Sequence, residues 1–232
     1  MRRSSVLPSR TAAVCAATRS PFNLVVLAVA SADSVSALRT VLAALPRRFP
    51  AALAVVQHGG SHAPDQFDAA LASATPLPVK QAIGGEALAA GTVYVAPAYQ
   101  HITLTAGRRV ALANGPPTNR TRSSADPLFE AAGRAYGARV IAVILTGYDG
   151  AAGARALKAL GGTVLAEDPA TAEVSQTPRA AIAPGDVDLV LPLAAIGPAL
   201  VCLVKAGVWA TAGCADPAAC TDSIAGSGEI QR

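Results

Sequence analysis

Residues 24–45 read LVVLAVASADSVSALRTVLAAL. The first seven, Leu24 to Ala30, are apolar without alternation, which fits a strand buried on both faces of a parallel sheet. From about Asp33 the pattern changes period. Val35, Leu38, Leu42 and Leu45 recur at the spacing of one helix face, and Pro46 ends the run. A strand running directly into a helix is the opening unit of a doubly wound α/β fold. In such folds ligands bind beyond the carboxyl ends of the strands. Ser31 stands at that position, where a helix N-terminus offers free N–H groups to a developing negative charge. The same "SADS" is also an ordinary set of N-cap residues, and this segment alone does not separate the two uses.

The rest of the chain repeats the alternation. Leu53–Gln57 is a second buried strand with His58 after it, and Pro64 opens a helix to about Ala74. Residues 76–112 break into short β-prone runs, Val79–Ile83, Thr92–Ala96, Ile102–Thr105 and Arg109–Leu112, divided by glycine-containing turns. They predict a small antiparallel β insertion at the sheet edge. Asp126–Tyr136 is a helix with Leu128, Phe129, Ala132 and Tyr136 inward. "RVIAVILT" (139–146) is the strongest strand. Gly147–Gly150 leads into a helix over 151–160, which Gly161-Gly162 ends. A strand at 163–166, a loop at 167–178, a short helix at 179–183, a strand at 187–191 and a helix at 193–206 complete the series. The expected fold class is α/β, doubly wound, with a mostly parallel sheet, helices on both faces and the antiparallel insertion. Residues 1–21 are expected as a disordered leader, 22–208 as the folded domain and 209–232 as a disordered tail.

Composition narrows the function. Apolar residues make up 52% of the 232, enough for a sizeable core, and aromatics only 4%, too few for nucleic-acid stacking platforms. The net charge of +4 comes from Arg2, Arg3, Arg10 and Arg19; the other 212 residues carry 15 basic and 15 acidic groups. A nucleic-acid partner is therefore not expected. The arginines at 108, 109, 120 and 122 read as a solvated loop surface. Cys15, Cys202, Cys214 and Cys220 show no metal or redox spacing, so reduced thiols and a cytoplasmic location are expected. "AVASA" (28–32) imitates a signal-peptide cleavage site, but the apolar run before it has the length of a strand. No run reaches the roughly 20 apolar residues of a membrane helix, so no membrane insertion is expected.

Ser31, His58 and Asp149 follow three different strands, and in a parallel sheet these tips share one edge. Their chemistry is complementary. A hydroxyl attacks a carbonyl, an imidazole carries the proton and a carboxylate fixes the imidazole's tautomer. Singly, a histidine after a strand is an ordinary loop residue and Asp-Gly an ordinary turn; only the coincidence on one edge carries weight. His62 does not make a metal pair with His58 across Gly59-Gly60, and His101 reads as structural. No metal or cofactor is expected, and strand one lacks the Gly-rich phosphate loop of a nucleotide-binding domain.

At these residues the chain resembles the catalytic domain of the chemotaxis protein-glutamate methylesterases, the CheB family. The similarity is carried by "VVQH" (55–58), "PLPVKQAIGGEALAAGTVYVAPAYQHITL" (76–104), "SSADPLFEAAGRAYG" (123–137), "VILTGYDGAAGARALKALGG" (143–162) and "AEDPATAEVSQTPRAAI" (166–182), in that order. The resemblance implies a serine hydrolase that removes γ-methyl esters from glutamates of methyl-accepting chemoreceptor helices, releasing methanol, and that also deamidates glutamines. By motif, Ser31 is the nucleophile, His58 the base and Asp149 the orienting acid; other chemotaxis proteins are further partners. Two departures stand out. The family's Gly-Ala-Ser-x-Gly-Gly reads Val29-Ala30-Ser31-Ala32-Asp33-Ser34 here, and the Asp149 turn is two residues shorter than Leu-Thr-Gly-x-x-x-Asp-Gly. They give an alternative expectation, a degenerate domain that binds receptor or chemotaxis partners without turnover. A receiver domain like the family's is not expected from residues 1–21.

Overall fold

The computed structural model describes residues 24–29, 35–57, 64–97, 100–114, 125–147 and 150–211. Three apolar runs, Leu24–Val29 (β1), Ala52–Gln57 (β2) and Val140–Ile144 (β7), lie side by side and parallel, with β1 in the middle. Each is apolar on both faces because each is covered on both faces. β1 shows the alternation plainly. Val25 and Leu27 face one core, and Leu24, Val26 and Ala28 face the other.

Helices Val35–Ala43 (α1), Pro64–Ala72 (α2) and Leu193–Thr211 (α6) cover the first face. Leu38 and Leu42 of α1 are fully buried there, each a contribution of roughly 1.5–3 kcal/mol. The opposite face is covered by Ala125–Tyr136 (α3), Ala151–Ala159 (α4) and Gln176–Ile182 (α5). Leu128, Phe129, Ala132 and Tyr136 of α3 are buried, as their spacing predicts. α4 ends where expected, the Gly161 and Gly162 N–H groups closing on Lys158 O and Leu157 O.

The remaining strands are Val79–Gln81 (β3), Val93–Val95 (β4), Gln100–Leu104 (β5), Val110–Asn114 (β6), Thr163–Glu167 (β8) and Leu189–Leu191 (β9). Among the described residues they complete a seven-stranded sheet of order β3-β4-β2-β1-β7-β8-β9 and a separate two-stranded hairpin, β5-β6. Every pairing in the large sheet is parallel. The chain winds outward from β1 in both directions, so the switch point lies between β1 and β7.

The antiparallel insertion is narrower than the sequence predicts. Only β5 and β6 pair that way, apart from a bridge between Ala87 and Arg109. Val93-Tyr94-Val95 is buried on both faces, and a run of that kind completes a parallel sheet rather than a half-exposed hairpin. α5 likewise begins at Gln176, inside the predicted loop; Pro178 sits in its first turn, where a missing N–H costs nothing.

Cys202, buried on α6, is disulfide-bonded, so the expectation of reduced thiols fails there. Disulfide partners meet in space, and sequence spacing does not exclude such a pair. The predicted leader, 1–21, and residues 212–232 of the predicted tail also lie outside the described residues, while α6 runs past its predicted end to Thr211. No helix among the described residues is long and apolar enough to cross a membrane.

Candidate active site

The carboxyl ends of β1, β2 and β7 meet at the switch point. Val29 is in register with Gln57, and Ala28 with both Val56 and Ile144. β7 stays attached to β1 one residue beyond its end, because Leu145 donates its N–H to Ala28 O at 3.1 Å. In sequence, Ser31 follows Val29 by two residues, His58 follows Gln57 directly and Asp149 precedes Gly150. Ser31, His58 and Asp149 all lie outside the described residues, as do Asp33, Ser34 and His62. The structure therefore gives the frame from which these residues depart. His101 is on β5, opposite Ala113 in the hairpin.

One departure from the glycine pattern is explained by that frame. Val29 belongs to β1 and pairs with Gln57, so its backbone is extended. A β-branched residue suits that conformation, whereas a left-handed one would be costly. Among the described residues the only non-glycine with positive φ is Arg108, at 59°.

The frame is most detailed around the turn that contains Asp149. On the β7 side, Thr146 donates its N–H to Glu167 Oε2 at 3.0 Å and accepts the Val174 N–H on Oγ1 at 2.7 Å. Gly147 donates to Val174 O and accepts from the Thr177 N–H, both at 2.9 Å. On the α4 side, Gly150 is the N-cap, with φ 104°. A Cβ there would meet Phe129 Cε2 at 3.1 Å and Ala125 Cβ at 3.3 Å, so both its conformation and its surroundings call for glycine. With no side chain on the cap, the cap bond comes from another helix. Asp126 Oδ1 of α3 accepts the Gly153 N–H at 2.6 Å. Both ends of a two-residue span are thus anchored, and the N-terminus of α4, which favours negative charge, points to the same edge.

Glu167 was missed by sequence reasoning, which read its surroundings as a closing loop. It is the last residue of β8 and only 1% exposed. Burial pushes its carboxyl above the usual range; hydrogen bonds from the Thr146 N–H and the Thr171 hydroxyl oppose this, and the Asp168 charge adds to it. The available signal was an acidic residue closing an apolar strand, since carboxyls are rarely buried without a specific use. Beside the end of β2, a shallow recess is lined by Gln57, Phe67, Val95 and Ala96.

The fold and this edge define a class, doubly wound α/β domains whose site lies beyond the ends of the central strands. The comparisons with known proteins are specific. A family profile described as CheB methylesterase matches residues 26–200. A protein-glutamate methylesterase/protein-glutamine glutaminase of Anaeromyxobacter dehalogenans is 44% identical over 179 residues, covering 76% of this chain and 52% of that protein. The protein-glutamate methylesterase FrzG of Myxococcus xanthus is 38% identical over 182 residues, covering 78% and 54%. The crystal structure of the Thermotoga maritima CheB methylesterase catalytic domain superposes with a TM-score of 0.71 at 35% identity, covering 78% of this chain and 97% of that one. This chain belongs to the CheB methylesterase family. It spans about half the length of these two relatives.

Proposed function

We propose that this chain is a protein-glutamate methylesterase and protein-glutamine deamidase working through Ser31, His58 and Asp149. One observation carries the reading: β1, β2 and β7 are adjacent and parallel at the switch point, and in sequence each is followed within five residues by one member of the triad. Family membership supports the same chemistry. Ser31 Oγ attacks the γ-carbonyl carbon as His58 takes its proton. The tetrahedral intermediate expels methanol, which leaves with that proton, and a water then hydrolyses the acyl-enzyme to free glutamate and serine. With glutamine the leaving group is ammonia. Asp149 holds the imidazole's tautomer. The substrates are methylated helices of chemoreceptors, other chemotaxis proteins are further partners, and the location is the cytoplasm, a compartment that keeps most thiols reduced. The proposed folded unit spans 22–208.

The decisive experiment is methanol release from a methylated chemoreceptor cytoplasmic fragment, with Ser31→Ala in parallel. Release abolished by Ser31→Ala supports turnover. Without release from the folded protein, the esterase assignment for that substrate fails. A second reading, binding to receptors without turnover, draws on Asp33 and Ser34 in place of glycines and on the shortened Asp149 turn. It predicts complex formation with the same fragment and no methanol.

A further inference from the structure

Glu167 has no part in the proposed chemistry, yet it is buried at the end of β8 and bonded to Thr146, three residues before Asp149. Its partners are few. Oε2 accepts the Thr146 N–H at 3.0 Å, and Oε1 lies 3.3 Å from Thr171 Oγ1. That hydroxyl is also 3.1 Å from Asp168 O and accepts the Leu193 N–H at 3.3 Å. Thr171 has one proton to give. If Glu167 is ionised, Thr171 must choose between the carboxylate and Asp168 O. If Glu167 is protonated on Oε1, it donates to Thr171 Oγ1, Thr171 donates to Asp168 O, and every contact is filled.

The charge balance agrees. Among the described residues no ion pair reaches Glu167, from β7, β9, α5 or the 168–175 segment, and the neighbouring charge is the like charge of Asp168. A buried carboxylate without a cation is costly, which pushes its pKa up.

The bond to Thr146 matters because Asp149 follows three residues later in the chain. Thr146 is fixed by Glu167 and by Val174, and Gly147 by Val174 and Thr177. Only two residues, Tyr148 and Asp149, separate this brace from the Gly150 cap. Such a short span has little slack to absorb a displaced end.

We propose that Glu167 is a positioning residue: its buried carboxyl group holds the Thr146 backbone and thereby sets where the chain leaves β7 toward Asp149. The proposal rests on the role of Asp149 in the proposed triad.

The test compares wild type with Glu167→Gln and Glu167→Leu. Gln keeps an acceptor for Thr146 and a donor for Thr171; Leu keeps neither. Two readouts are taken from the same preparations. Amide exchange measures the protection of the Thr146 N–H, independently of turnover. Methanol release gives kcat and KM as a function of pH. Protection of Thr146 is expected to survive in Glu167→Gln and to fall in Glu167→Leu. Glu167→Leu is expected to lose on the order of 10²-fold in kcat, the scale of an ångström-sized misplacement, with KM within about twofold. Glu167→Gln rescues kcat. Equal kcat in all three proteins overturns the positioning role. Loss of activity in Glu167→Gln as deep as in Glu167→Leu overturns the role of the acceptor to Thr146. Ser31-dependent release with Thr146 protection unchanged in Glu167→Leu overturns the brace alone. If Thr146 responds as expected but wild type releases no methanol, the proposed function fails, and the positioning role fails with it.

Discussion

Asp126 Oδ1 accepts the backbone N–H of Gly153 at 2.6 Å, and the two helices approach so closely there that a Cβ on Gly153 would stand 2.5 Å from Asp126 Cα. One contact thus does two jobs. It caps α4 at its third residue and sets the depth at which α4 packs on α3.

Gly153→Ala is therefore expected to force α3 and α4 apart, destabilising the fold by roughly 1–3 kcal/mol, the usual scale of overpacking. Asp126→Ala removes the cap without adding bulk and is expected to cost about 1 kcal/mol. Urea unfolding of both variants measures this. A Gly153→Ala protein as stable as wild type would mean that the helices slide apart without penalty.

Gly150→Ala acts on the same cap from the other side. An alanine held at φ 104° costs on the order of 1–2 kcal/mol, and its Cβ would press on Phe129 and Ala125. The relaxed backbone moves the residue just before the cap, Asp149. Activity is expected to fall by a larger factor than stability accounts for, with kcat affected more than KM. Steady-state kinetics beside a denaturation curve test this; unchanged kcat would show that the cap does not control the turn.

Much of this frame was legible in the sequence, and the reason is physical. β1 and β7 could be read because strands buried on both faces show unbroken apolar runs, and α3 because its inward residues keep helical spacing. Their shared edge then came from parallel pairing. Val93–Val95 was recognised as a strand but given the wrong kind of partner, because strand order depends on contacts far apart in the chain. The Asp126–Gly153 cap spans 27 residues and the Thr146–Glu167 bond 21, so local pattern shows neither. Ser31, His58 and Asp149 were read from their place after strands and their chemistry, and they stand as a proposal for direct test.

Thr177 gives a prediction with opposite signs for two roles. Its N–H holds Gly147 O, but its hydroxyl is buried and makes no hydrogen bond among the described residues. A buried hydroxyl without a partner costs about 1–3 kcal/mol. Thr177→Val keeps the shape and removes that cost, so the variant is expected to unfold at a higher temperature. If activity is retained, the hydroxyl is only a structural burden. If activity falls while stability rises, the hydroxyl serves the turn during catalysis. A less stable variant would refute the premise that the group is unsatisfied.

Glu167 should make stability depend on pH in a defined direction. Burial raises its carboxyl pKa in the folded protein above the ordinary value it has when unfolded. The folded state therefore binds this proton more tightly. The resulting stability is fully present below the ordinary carboxyl range and is lost as pH rises through the folded value. Above that, folding must keep a buried carboxylate beside Asp168 without a cation. Glu167→Gln has no proton to lose. Its melting temperature relative to wild type is expected to be level at low pH, to climb as pH rises past about 4, and to level again once Glu167 is ionised in the folded wild type. Thermal unfolding of both proteins from about pH 4 to about pH 9 measures the difference. A flat difference across that range would mean that Glu167 titrates as an ordinary carboxyl. A difference that falls with rising pH would mean that the fold favours the ionised form, and burial would not be the dominant influence on this carboxyl.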